Sequence, residues 1–326
     1  MNKIAKATIL VTGGAGFIGS HLIEQLLILK PKKIYILDNL YRGKIKNIAH
    51  LFSNPYIEFI KGDIRNASLV NRIMSKSDYC FHLASMSLNA CAAYIKQAFD
   101  VMVSGTFNII QSAQKYKIKK LIYSSSASIY GMADHYPTAE THHPYDNKTF
   151  YGAAKLFGEQ LLRTYYYIYG LKYIALRYFN VYGVRMDTRG KYTAVFIKWL
   201  DCIKSGSQPT IYGNGLTTMD FIYVTDVVKA NILALESNIS DEIFNIGSGE
   251  ETGLKKLLRL ILKINHRPKQ NPKYILTKIV NTVQRRQADI SKAEKMLKFR
   301  PQVSLKEGLI RLCDWYFNKE ENDKHH

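Results

Sequence analysis

The sequence contains no apolar run of about eighteen residues, so no membrane-spanning helix is predicted. Cysteine is scarce. Cys80, Cys91, Cys202 and Cys313 are scattered and make no metal-ligand spacing, so no metal is expected. Two of them lie in apolar runs, which reads as buried free thiols and suits a reducing cytoplasm. The chain enters a strand-like run almost at once, leaving no room for a signal peptide, and a cytoplasmic location is expected. Acidic residues are also few: 26 against 46 basic ones, a net charge of +20. Such a surface attracts nucleic acid, an anionic membrane face or an anionic substrate. The lysines, however, are spread over expected helix faces and loops, with no basic block interleaved with aromatics. A solvated lysine-rich surface is the better reading, and no nucleic-acid partner is expected.

What is present is an ordinary globular composition, 47% hydrophobic and 22% charged. With 326 residues the chain can bury a full core as one large or two modest domains. The apolar run Thr8 to Val11 reads as a buried strand, Gly13-Gly14-Ala15-Gly16-Phe17-Ile18-Gly19 as a tight turn, and Ser20 to Leu29 as a helix. Gly14, Gly16 and Gly19 fit G-x-G-x-x-G, and Gly13, Gly16 and Gly19 fit a related spacing. A side chain there blocks the turn, the approach of a pyrophosphate or the contact of helix with strand. The N–H groups opening the helix then face an anion, aided by the helix dipole. The next strand-like run, Ile34 to Leu37, ends in Asp38, nineteen residues beyond Gly19. A βαβ dinucleotide site places a carboxylate there on the adenosine ribose hydroxyls. That acid argues for NAD, because it repels a ribose 2′-phosphate; the nearby Arg42 argues the other way.

Strand-like and helical segments go on alternating, which predicts a parallel sheet covered on both faces. Tyr56 to Ile60 reads as the third strand, followed by Asp63, placed to accept from an adenine amino group. Tyr79 to Ala84 reads as the fourth, running into Ser85-Met86-Ser87 where the crevice opens. One long helix is predicted from about Ala90 to Tyr116, with a possible break near Ser104-Gly105. A fifth strand, Leu121 to Ser124, leaves through the hydroxyl-rich Ser124-Ser125-Ser126-Ala127-Ser128-Ile129-Tyr130-Gly131. Tyr151-Gly152-Ala153-Ala154-Lys155 opens a further helix, and residues four apart share a helix face. Tyr173 to Arg177 reads as the sixth strand, ending in Asn180-Val181-Tyr182-Gly183.

These motifs in this order resemble the extended short-chain dehydrogenase/reductase superfamily, in its NAD-dependent nucleotide-sugar epimerase/dehydratase branch, and are UDP-glucose 4-epimerase-like. The resemblance runs from Ala7 to Trp315 and includes Ile211-Tyr212-Gly213-Asn214-Gly215 and Phe244-Asn245-Ile246-Gly247. It implies an α/β fold: a Rossmann-type doubly wound parallel sheet with a smaller C-terminal α/β substrate-binding domain. Residues 1–180 are expected to bind NAD, with segments near 217–247 returning to that domain. Residues 181–317 are expected mainly to bind a nucleotide-diphosphate sugar, and 318–326 form a polar tail. The expected cofactor contacts are Gly13, Gly16, Phe17, Ile18, Gly19, Asp38, Asn39, Arg42, Asp63, Ile64, Leu83, Ala84, Tyr151 and Lys155. A homodimer is implied, with Phe107, Ile110, Leu161, Leu162 and Tyr165 on the helices concerned.

The chemistry of Tyr151 and Lys155 also stands on its own. A tyrosine with its ordinary pKa near 10 is a poor base at neutral pH, and bringing it toward 7 takes roughly 4 kcal/mol of phenolate stabilisation. A nearby ammonium and a cationic nicotinamide both work in that direction. Tyr151 then takes a proton from a sugar hydroxyl while hydride leaves the same carbon, with Ser126 holding the oxygen.

The resembled dehydratases carry Thr-Asp-Glu where this chain has Ser126, Ala127 and Ser128, and decarboxylases of the family also use that glutamate. Without the acid pair, the expected activity is transient oxidation at C4 and hydride return, a 4-epimerisation. A 4,6-dehydratase, a 4-keto reductase and an inactive NAD-sensing regulator are the alternatives. Expected substrate contacts are Ser87, Ser126, Asn180, Tyr212, Arg285 and Arg286. Met219 and Ile279 stand where related enzymes carry phosphate-binding arginines. Arg285 and Arg286 are candidate replacements, against the plainer reading of a solvated basic pair, and Arg185, Arg189 and Lys191 are further candidates. Met102 replaces an asparagine common in the family.

Overall fold

The computed structural model describes residues 3–188, 194–275 and 283–323. Six strands come first: β1 Thr8–Thr12, β2 Lys33–Asp38, β3 Ile57–Lys61, β4 Tyr79–His82, β5 Lys120–Ser126 and β6 Tyr173–Tyr178. The later strands are β7 Asn180–Tyr182, β8 Thr210–Tyr212, β9 Thr218–Tyr223, β10 Glu242–Ile246, β11 Glu251–Gly253 and β12 Lys273–Ile275. A seven-stranded sheet has the order β10-β6-β5-β4-β1-β2-β3, and its pairings are parallel. Its central strands are buried end to end, as a sheet covered on both faces requires. Successive side chains go to opposite faces. Ile9 and Val11 enter one core with Leu22, Ile23 and Val227, whereas Leu10 enters the other with Ile109, Leu121 and Leu162.

The helices between these strands are α1 Phe17–Ile28, α2 Ala67–Met74, α3 Leu88–Ala93, α4 Ile95–Phe99, α5 Thr106–Lys115 and α6 Phe150–Tyr169. Strand order reverses between β1 and β4, so the loops leaving these strands splay apart and open a crevice. The helices α7 Val195–Ser205, α8 Val224–Glu236, α9 Leu254–Ile264, α10 Ser291–Leu297 and α11 Leu305–Asp323 follow. The return toward the main sheet is made by α8, whose Val227 and Val228 join the core of α1, and by β10 at the sheet edge. By contrast β9 pairs with β7 and β11 in a separate three-stranded sheet. A distinct apolar core there gathers Trp199, Tyr182, Phe196, Leu257 and Leu309.

The helix expected from Ala90 to Tyr116, with a break near Ser104-Gly105, is interrupted at Tyr94 and distorted at the expected break. Tyr94 leaves the helical region (φ −134°, ψ 65°), and Asp100–Gly105 is wound as a π turn. Gly105 is required where that turn crosses Ile64, since a Cβ would lie 2.7 Å from the isoleucine side chain. Met102 is buried within it, and its sulfur accepts from the Met86 N–H and the Ser85 hydroxyl, both at 3.2 Å. That accounts for the position: the side chain anchors the loop after β4, as an asparagine carbonyl would. Ile110 and Leu162 are core residues, whereas Phe107 is exposed. All four cysteines are free. Among the described residues no helix is long and apolar enough to cross a membrane.

Candidate active site

The crevice at the carboxyl ends of β1 and β4 is an open cleft of 520 Å³, within the range of small-molecule sites. Its floor is the glycine turn. Gly13 has φ +71°, and a Cβ there would stand 2.7 Å from the Ala84 backbone nitrogen, so glycine alone lets the two loops meet. Gly16 caps α1, whose first residues Phe17, Ile18 and Gly19 line the cleft. Asp38 closes one end. One carboxylate oxygen accepts from the Ala15 N–H and the other from the Leu40 N–H. A carboxylate has about four acceptor places, so each oxygen keeps one for a ribose hydroxyl. Burial raises the Asp38 pKa against those two bonds.

Asp63 departs from expectation. Its carboxylate accepts from the Arg65 backbone N–H, from Arg65 Nε and Nη2, and from Asn39 Nδ2, at 2.8–2.9 Å. Burial opposes its charge, but Arg65 and Asn39 outweigh it and hold the pKa at about 2. With its acceptor places filled, Asp63 has to release a donor before it can take an adenine amino group. Ile64, Leu83 and Ala84 line the cleft as expected. Arg42 reaches the cleft but turns to Asp187, at 3.5 Å.

At the other end stand Ser126, Tyr151 and Lys155. Thr149 caps α6 through the Gly152 N–H at 3.0 Å, which sets Tyr151 and Lys155 on its first turns facing β5. Lys155 is buried and donates to the Ser124 carbonyl at 2.6 Å; its ammonium lies 5.8 Å from the Tyr151 ring centre and 5.1 Å from that of Tyr123. Ser126 accepts from the Ser128 N–H at 3.1 Å. Enclosure in the cleft raises the Tyr151 pKa, against hydrogen bonds with Ser126 and Ser85, and burial brings Lys155 down to about 8. Of the two charges expected to favour the phenolate, the structure supplies the Lys155 ammonium, which lies beneath the Tyr151 ring while it donates to the Ser124 carbonyl.

Behind this set lies a network that the sequence did not disclose. Glu159, one turn beyond Lys155, forms a bidentate pair with Arg177 (2.9 and 2.7 Å) and accepts from Ser125 at 2.5 Å. Arg177 continues to the Tyr130 hydroxyl at 2.8 Å, and Tyr130 to Asn245 at 2.6 Å. A glutamate on the sheet-facing side of a helix was the available sign.

The expected substrate contacts divide. Ser87, which caps α3, and Asn180 line the cleft. Tyr212 does not; it is 56% exposed on the small β8–β12 sheet. Arg285 and Arg286 lie on an extended segment beside β9, so they point opposite ways. Arg285 turns outward to a bidentate pair with Glu251 and stacks on Tyr136, while Arg286 enters the cleft. Met219 is buried. Arg185 lines the cleft but pairs with Glu24 at 2.6 Å. Arg189, Lys191 and Ile279 lie outside the described residues. Asp134, His142 and His143 bring three ligand-type atoms within 4.8 Å of one another, yet both His142 ring nitrogens already hold backbone partners.

A glycine turn, a buried acid at the end of β2 and a Ser–Tyr–Lys set around one crevice define a dinucleotide-dependent enzyme of the short-chain dehydrogenase/reductase kind. The chain belongs to the NAD-dependent epimerase/dehydratase family, whose sequence model matches residues 9–247. It is 37% identical to a putative UDP-glucose 4-epimerase of Methanocaldococcus jannaschii, over 95% of this chain and 98% of that one. It is 32% identical to a UDP-N-acetyl-alpha-D-glucosaminuronate decarboxylase of Bacillus cytotoxicus, over 98% and 100%. Among solved structures it is similar to the UDP-N-acetylglucosamine 4-epimerase of Methanobrevibacter ruminantium, with TM-score 0.91, 32% identity and coverage of 97% and 99%. The cofactor is NAD. The residues present fit it: the glycine turn that opens α1 onto the cleft and the open acceptor places of Asp38.

Proposed function

We propose that the protein is a nucleotide-sugar 4-epimerase, acting on a sugar linked to uridine diphosphate. The observation that carries this reading is the loop after β5. Ala127 is buried between Ser126 and Ser128, and the acids among the described lining residues are Asp38, Asp63 and Asp187, away from Tyr151. Losing water from C5–C6 needs a base and an acid beside the sugar, and this cleft offers hydroxyls. Two of the relatives above, a putative UDP-glucose 4-epimerase and a UDP-N-acetylglucosamine 4-epimerase, support the same reading.

In this reading Gly13 to Gly19 and Asp38 hold the dinucleotide, Asn180 meets the diphosphate, and Ser126 binds the C4 hydroxyl. Bound NAD supplies a nicotinamide that takes hydride from C4 and gives it back. Tyr151 removes the hydroxyl proton as the C4–H bond breaks and returns it when the ketone is reduced from its other face. Lys155 fixes the loop of Ser124 to Ser126 and adds positive charge beneath the phenol. Residues 1–180, with the later segments that rejoin them, serve the dinucleotide and 181–317 mainly the nucleotide sugar. The exposed Phe99, Phe107, Tyr167 and Ile168 on α4, α5 and α6 suit a homodimer face.

The test is incubation of the NAD-loaded protein with UDP-glucose, UDP-N-acetylglucosamine and UDP-glucuronate, with products resolved by NMR. C4 epimers and no net NADH are expected. A 4-keto-6-deoxy sugar, or a pentose with carbon dioxide, overturns the reading.

A further inference from the structure

Arg286 is the feature of this cleft that the proposed reaction leaves unexplained. Its backbone is fixed beside β9, with its N–H on the Thr218 carbonyl at 3.1 Å. The side chain turns into the cleft and reaches Ser128 Oγ only at 3.5 Å. Its Nε is fully enclosed and has no hydrogen-bond partner. Among the described residues no acid pairs with it. Neighbouring Arg285 shows the contrast, with both fork nitrogens on Glu251. Enclosure lowers the Arg286 pKa to about 10, and the groups that oppose this are the Tyr151 and Tyr136 phenols. A planar guanidinium held this way, with donors unmet, is a preformed receptor for a planar anion.

Its position decides which anion. Arg286 abuts Ser128, two residues from Ser126, and the Tyr151 phenol is among the groups that act on its charge. On the reading that Tyr151 addresses C4, the guanidinium lies beside the reacting carbon. The diphosphate of a nucleotide sugar hangs from the anomeric carbon, across the ring from C4. The exocyclic carbon adjacent to C4 is C6, carried on C5. We propose that the sugar pocket is built for a nucleotide-linked hexuronate, with Arg286 as the counter-ion of its C6 carboxylate. The acid-free surroundings, Ser126, Ala127 and Ser128, place no negative charge against such a group.

The test separates binding from turnover. NAD-loaded Tyr151→Phe protein is titrated by calorimetry with UDP-glucuronate, UDP-glucose and UDP, with and without Arg286→Gln. Charge-assisted pairing predicts that UDP-glucuronate binds at least about tenfold more tightly than UDP-glucose. Arg286→Gln is expected to erase that preference while leaving UDP affinity within about twofold, which also reports an intact fold. Equal binding of UDP-glucose and UDP-glucuronate overturns the proposal. So does an equal loss for all three ligands, which assigns Arg286 to the diphosphate. If the carboxylate preference depends on Arg286 but wild-type protein does not epimerise UDP-glucuronate at C4, the 4-epimerase reading fails and the binding assignment stands.

Discussion

Replacing Glu159 by glutamine is expected to destabilise the protein severely although it touches neither cofactor nor substrate. The pair with Arg177 is almost fully enclosed, with side-chain exposures of 6% for the arginine and 0% for the glutamate. Glu159→Gln keeps the shape and one acceptor but removes the opposing charge and turns an amide NH2 toward Arg177, whose other partners are the Tyr130 hydroxyl and the Glu140 carbonyl. Removing one member of a buried pair costs about 3–5 kcal/mol, most of it the burden of the stranded charge. For a chain of this size that is a fall in Tm of roughly 4–7 °C. Urea unfolding followed by circular dichroism, at one fixed NAD concentration, measures it. The double variant Glu159→Leu with Arg177→Met removes both charges and is expected to recover most of the loss. A loss below about 1 kcal/mol in Glu159→Gln, or a double variant worse than the single one, refutes the reasoning.

Three further outcomes follow from the cleft. Tyr151→Phe is expected to lower turnover by at least about 10²-fold while NAD binding, read by fluorescence, is unchanged; retained activity removes Tyr151 from its role. Gly13→Ala places a Cβ 2.7 Å from the Ala84 nitrogen at φ +71°, so stability should fall by more than about 1 kcal/mol and NAD affinity should drop in titration. Asp63 is held at about 2 in the folded protein, below its ordinary 3.8, so its contribution is present above that ordinary value and lost as pH falls toward 2. Wild type should therefore exceed Asp63→Asn in stability at neutral pH, with the gap closing in acid-unfolding curves between about pH 4 and 2.

How far the sequence disclosed this site depended on whether a role is written in local spacing. Gly13 to Gly19 and Asp38 are bound by backbone geometry within one βαβ unit, so their positions were readable. Tyr151 and Lys155 were readable because a helix fixes their common face. Arg285 and Arg286 looked like equivalents, because nothing local says which side of an extended segment faces a cleft. The β-bridge to Thr218 decides it, and that partner is 67 residues away in the chain. Tyr212 failed for the same reason: its strand pairs with Lys273–Ile275 and sits apart from the cleft. In the long helix the break near Ser104-Gly105 was readable and falls within the π turn, which meets Ile64 and the loop after β4, whereas the departure at Tyr94 carried no local sign.

The electrostatics of the cleft carry the argument one step further. Burial raises the Tyr151 phenol against the Lys155 ammonium beneath it, which burial itself brings down to about 8. Positive charge entering the cleft favours the phenolate further, and an oxidised nicotinamide is such a charge. Arg286 presents the converse case, a fixed cation whose enclosed Nε lacks a partner. The cleft thus holds a phenol that further positive charge would ionise and, beside it, a guanidinium without an anion. A cationic cofactor head and an acidic sugar would complete both deficits, each lowering the cost of burying the other. Cofactor and sugar should then bind with positive coupling through Tyr151 and Arg286, and a uronate should show more of that coupling than a neutral hexose.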